Sequence, residues 1–80
     1  MIERIAELKD RQVVNILDGN VLGFVGDIEL DTTSGKLSAL VIYGKPKAMG
    51  FLGREDDLII PWEDIDVLGS ETILVKSAFK

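Results

Sequence analysis

Four groups of residues in this 80-residue chain have types and spacing suited to chemistry or recognition. Asp27, Glu29 and Asp31 alternate, so on a strand their carboxylates share one face and could hold a hard cation. Gly19, Gly23 and Gly26 make a glycine-rich stretch of the sort that lets a backbone approach a phosphate. Lys45, Lys47 and Arg54 surround Met49, Phe51 and Leu52 in a segment rich in glycine. Trp62, the only tryptophan, follows Pro61.

Each group also has a plainer reading. An EF-hand loop starting at Asp27 would need glycine at its sixth position, where Thr32 stands. The alternation fits a solvated strand face whose like charges defend an edge. The three glycines do not fit the G-x-G-x-x-G spacing, and no helix follows them to receive a phosphate, so turns and barrel bends are the simpler account. Trp62 is either an exposed anchor for a partner or a ring that caps one end of the fold, with Ile60 and Ile65 beside it.

Catalysis lacks its usual parts. The chain has no histidine and no cysteine, so proton transfer at neutral pH would fall to carboxylates or lysine, and a serine or threonine nucleophile would have no imidazole base. The carboxylates lie in strongly acidic, solvated runs, where nothing raises a carboxyl pKa toward neutrality. The expectation is a protein that is not an enzyme, with no catalytic residue, cofactor or metal. The same absences remove disulfide and zinc staples, so stability must come from apolar packing, supplemented at most by self-association.

Nine basic against fourteen acidic side chains give a net charge of −5, which counts against direct nucleic-acid binding. No apolar run approaches the roughly 20 residues of a membrane span. Glu3 and Glu7 interrupt the N-terminal apolar residues as no secretory signal peptide would, so a cytoplasmic location is expected.

The segment 44–54 is the strongest candidate for a binding site: Lys45, Lys47, Met49, Phe51, Leu52 and Arg54. Basic and large apolar residues in a glycine-rich connection suit recognition better than passive linkage. Three readings stay open. The segment could dock another protein, it could touch an anionic membrane or RNA, or Phe51 and Leu52 could fold back over the barrel mouth. A peripheral membrane contact would be weak, since each cation contributes only about 1 kcal/mol there.

These residues sit on a chain organised as one domain over residues 1–80. Ile2, Ile5 and Leu8 are spaced for a short helical turn with one packed side. A strand follows from Gln12 to Leu17, and Asp18-Gly19 marks a hairpin. In the next strand Leu22, Phe24, Ile28 and Leu30 should face one way, and Gly23, Val25, Asp27, Glu29 and Asp31 the other. Gly26 suggests a bulge or bend. Thr32 to Gly35 turns the chain, and Leu37 to Tyr43 is apolar on both faces, as in a central strand. After the 44–57 segment come a strand at Leu58 to Ile60, a helical turn from Trp62 to Asp66, and a last strand at Thr72 to Val75. Short strands joined by tight turns predict an all-β fold, a small antiparallel β-barrel of five to six short strands with a short helical turn after Pro61.

Leu8, Val13-Val14, Asp18-Gly19, Leu22-Gly23, Val25, Asp27, Asp31, Gly35, Leu40-Val41, Ile60-Pro61-Trp62, Ile65, Gly69 and Ile73-Leu74-Val75 together resemble the PRC-barrel pattern over nearly the whole chain. Met49-Gly50-Phe51-Leu52-Gly53-Arg54 with Ile59-Ile60-Pro61-Trp62 looks closer still to the YlmC/YmxH group of stand-alone PRC-barrel proteins of spore-forming bacteria. The resemblance implies a barrel used as an adaptor, linked to sporulation, that binds another protein or itself as a homodimer. Likeness to the ribosome maturation factor RimM implies the alternative, a ribosome- or RNA-processing-associated factor. The shared residues are turn glycines and core apolars, so they imply fold and leave the partner open.

Overall fold

The structure, a computed structural model, describes residues 2–44 and 57–77. It opens with one helical turn, α1 (Ile5–Leu8), followed by β1 (Gln12–Asn15), β2 (Asn20–Asp31) and β3 (Lys36–Ile42). Beyond the undescribed segment come β4 (Leu58–Pro61), a 3₁₀ turn over Trp62–Asp64, β5 (Ile65–Leu68) and β6 (Thr72–Val75). The strands form one six-stranded sheet in the order β4-β3-β2-β1-β6-β5.

Val13 of β1, Val25 of β2, Leu40 and Ile42 of β3, Ile60 of β4, and Ile73 and Val75 of β6 pack in a single buried cluster. Ile65 of β5 packs against the same cluster; a flat sheet could not bring both of its end strands, β4 and β5, to one place, so the sheet curls on itself. Each such side chain contributes about 1.5–3 kcal/mol on full burial, and this packing replaces the absent disulfides.

The all-β class stands, with one difference in direction. β1 pairs with β2 antiparallel but with β6 parallel, Gln12 opposite Thr72 and Asn15 opposite Val75. A parallel neighbour needs a long crossover, which here is everything between β1 and β6. Nothing in the local pattern of either strand records that pairing.

β2 also differs from simple alternation. Val25 is fully buried, whereas Phe24 and Leu30 are 58% and 55% exposed. Two irregularities lie along the strand: Val25 lies opposite Ile42 and Asp27 opposite Val41, leaving Gly26 as an extra residue, and a second register shift falls between Glu29 and Leu30. The extra residue at Gly26 puts Ile28 on the core side with Val25 and turns Asp27 and Glu29 outward. A side chain at Gly26 would run into the ring of Tyr43, so glycine is needed there for space.

Two turns share one design. In each, a four-residue loop closes with the N–H of a left-handed glycine, φ 75°, donating back to the fourth residue before it: Gly19 to the Asn15 carbonyl at 2.7 Å and Gly35 to the Asp31 carbonyl at 2.8 Å. The side chains of Asn15 and Asp31 also accept from the loops, from Leu17 N–H at 3.2 Å and Thr33 N–H at 2.9 Å. The first turn therefore starts at Asn15, earlier than the expected strand end at Leu17, and leaves Ile16 and Leu17 exposed. At the N-terminus only Leu8 of the predicted apolar stripe is buried; Ile2 and Ile5 are exposed. The helical turn after Pro61 ends at Asp64, because Ile65–Leu68 pairs with β6 as a strand of its own.

Replacing Gly26 by alanine should lower stability by about 1–2 kcal/mol through overpacking against Tyr43. Denaturant unfolding of G26A alone and with Tyr43→Ala checks this; in the Y43A background most of the cost of the added methyl should disappear.

Candidate functional site

The predicted binding residues Lys45, Lys47, Met49, Phe51, Leu52 and Arg54 lie outside the described residues. The points at which their segment leaves and rejoins the barrel are defined. The Gly44 N–H donates to the Asp57 carboxylate at 2.9 Å, tying the two ends together. Gly44 and Leu58 border a groove of about 500 Å³ whose walls include Leu22, Phe24, Ile42 and Tyr43. Phe24 and Tyr43 are both exposed at its edge. The barrel thus presents aromatic and aliphatic surface where the basic, apolar segment begins and ends.

The acidic strand face is put to structural use. Asp27, Glu29 and Asp31 are all exposed on β2. The Asp27 carboxylate accepts from Ile28 N–H at 2.8 Å. That of Asp31 accepts from Thr33 N–H at 2.9 Å and Ser34 N–H at 3.4 Å. Among the described residues no group of three or more His, Cys, Asp or Glu is placed to hold a metal ion. Gly19 serves a turn and Gly26 a bulge, as the plainer reading of that stretch required.

Trp62 packs half-buried against the core cluster. It also lines a second cavity of about 500 Å³, with Leu8 and Ile5 from the N-terminal turn, Leu37 from β3 and Leu68 from β5. Glu3 and Ser70 complete its lining. The tryptophan is therefore neither a free anchor nor a fully enclosed cap.

Beside this cavity lies an ion pair that sequence reasoning did not anticipate. Arg11 donates from Nη1 to Glu3 Oε2 at 3.0 Å and from Nη2 to Glu3 Oε1 at 2.9 Å, a two-point geometry. Its Nη1 also donates to the Gly69 carbonyl at 2.8 Å. The hydrogen bonds from Arg11, with its positive charge, hold the Glu3 carboxyl below its ordinary value of 4.5, and Glu3 in turn raises Arg11. A second unanticipated group is buried Asn15. Its Nδ2 donates to the Ser77 carbonyl at 2.7 Å, and Ser77 Oγ donates to the Asp64 carboxylate at 2.8 Å. Only one cue for either was available: Asn15 continues the inward-facing positions of β1 after Val13.

Against known proteins, the chain matches the PRC-barrel domain over residues 1–79. It belongs to the PRC-barrel family. It is 42% identical over 72 residues to the probable sporulation protein YlmC of Bacillus subtilis strain 168, covering 90% of this chain and 89% of that protein. An uncharacterized protein of Clostridium acetobutylicum is 32% identical over 68 residues, 85% of this chain and 77% of that protein. The uncharacterized protein YmxH of Bacillus subtilis strain 168 is 31% identical over 74 residues, 90% of this chain and 86% of its own length. The family match and these names indicate no enzymatic family. Among the described residues no helix of this PRC-barrel chain is long and apolar enough to cross a membrane.

A carboxylate with a lowered pKa contributes stability that is fully present above its unfolded value and is lost as pH falls through its folded value. Acid titration of unfolding stability from about pH 6 to about pH 3 should therefore bring wild type and Glu3→Gln together at the acid end. A gap that stays constant across that range would show that the charge of Glu3 contributes nothing.

Proposed function

We propose that this PRC-barrel chain is a non-enzymatic protein-interaction module acting in the cytoplasm during sporulation. The observation that carries the sporulation link is the 42% identity to a probable sporulation protein across 90% of the chain. The interaction role is supported by chemistry. The barrel's polar face is acidic, with Asp27, Glu29 and Asp31 exposed on β2. The basic, apolar segment 44–54 is the exception in a chain of net charge −5.

Lys45, Lys47 and Arg54 would face acidic groups of the partner, while Met49, Phe51 and Leu52 would enter an apolar surface between them. The adjoining groove at Phe24 and Tyr43 would extend the contact onto the barrel. The partner is another protein with an acidic, apolar face, and a second copy of this chain, itself acidic, meets that description.

Cross-linking followed by affinity capture from sporulating cells tests this. Wild type should retain a discrete partner that Phe51→Ala/Leu52→Ser loses, and sedimentation velocity on the purified proteins should show whether that partner is a second copy. An unchanged partner set in the double variant would remove the segment from the interface. Loss of the wild-type association at high salt would support the charge pairing.

A further inference from the structure

The N-terminal turn is held to the barrel by buried Leu8, by the Asp10 N–H donating to the Val25 carbonyl at 2.9 Å just after it, and by one long side chain. α1 has four residues and no side-chain cap, and Leu8 is its only buried member. Isolated helices this short are marginal, so the turn depends on what it packs against. Ile2 is 96% exposed and Ile5 is 52% exposed, so two of its three large apolar side chains give it little purchase.

The strong point is Arg11. Its guanidinium reaches Glu3 on the N-terminal segment with two hydrogen bonds and the Gly69 carbonyl on the β5–β6 turn with a third. Its side chain is 10% exposed and that of Glu3 is 24% exposed, so the pair is partly shielded from solvent screening. Glu3 and Ser70, which follows Gly69, both line the Trp62 cavity. One side chain thus bridges two segments that together shape one apolar space.

We infer that Arg11 is a clasp that holds residues 2–8 against the β5–β6 turn and limits access to the apolar cavity beside Trp62. Releasing it frees the segment carrying Glu3, Ile5 and Leu8 and leaves Leu37, Trp62 and Leu68 as an open apolar recess. The cavity's remaining walls belong to β3, β5, the 3₁₀ turn and Ser70 of the β5–β6 turn. The inference concerns a different part of the surface from segment 44–54 and does not depend on it.

Trp62 is the only tryptophan, so its fluorescence reports this cavity without labelling. Acrylamide quenching should be compared in wild type, Glu3→Ala and Arg11→Met, with far-ultraviolet circular dichroism confirming that each barrel is folded. The expected result is a rise in the quenching constant of about twofold in E3A and more in R11M, which also loses the Gly69 bond, as local opening becomes easier. Equal quenching in wild type and folded E3A would overturn the clasp. Should R11M not fold, E3A decides alone, since it leaves Arg11 and its bond to Gly69 in place.

Discussion

The fold depends on β2 being one continuous strand that belongs to both halves of the sheet. Its first residues pair with β1, and through β1 with β6 and β5; its later residues pair with β3, and through β3 with β4. A straight strand could not serve both halves and also let them close on one core. The bend at Gly26 solves this, turning Val25 inward opposite Ile42 and shifting the acidic residues after it outward. The ring of Tyr43 lies over the missing side chain.

Closure at the far side is polar. Beyond the β1–β6 ladder, Ile16 N–H donates to the Val75 carbonyl at 2.9 Å, and Lys76 N–H to the Asp64 carbonyl at 2.8 Å. Asn15 and Ser77 fill the space between with hydrogen-bonding groups that are buried and satisfied. Among the described residues no buried side-chain nitrogen or oxygen lacks a partner. Such a network favours one register of β1 against β6, because a shift would leave the Asn15 amide unpaired in the interior. Packing supplies the energy of this small domain, and these few polar contacts supply its specificity.

Much of this was legible in the residues and some was not, for identifiable reasons. Turns were visible because Asp18-Gly19 and Ser34-Gly35 bring left-handed glycine with them. The central strand was visible because Ala39 to Ile42 is apolar without alternation, as burial on both faces requires. Gly26 was legible as a bulge, but Phe24 was still grouped on one face with Ile28, which the extra residue at Gly26 prevents. β5 went unseen because Ile65-Asp66-Val67-Leu68 is short and its strand character comes from pairing with β6. The Arg11–Gly69 contact joins residues 58 apart in sequence and leaves no local trace. The basic, apolar segment was legible as composition alone, and its residues lie outside those the structure describes.

In this account the barrel is a scaffold: its glycines shape turns, its carboxylates cap loops, and its tryptophan braces one end. The proposed recognition element is the basic, apolar segment 44–54. The most direct measurement is photo-crosslinking in sporulating cells from a photoreactive residue placed at position 51, with position 29 on the acidic face in parallel. The account predicts a protein adduct from position 51 and none from position 29. Adducts from position 29 alone would contradict it.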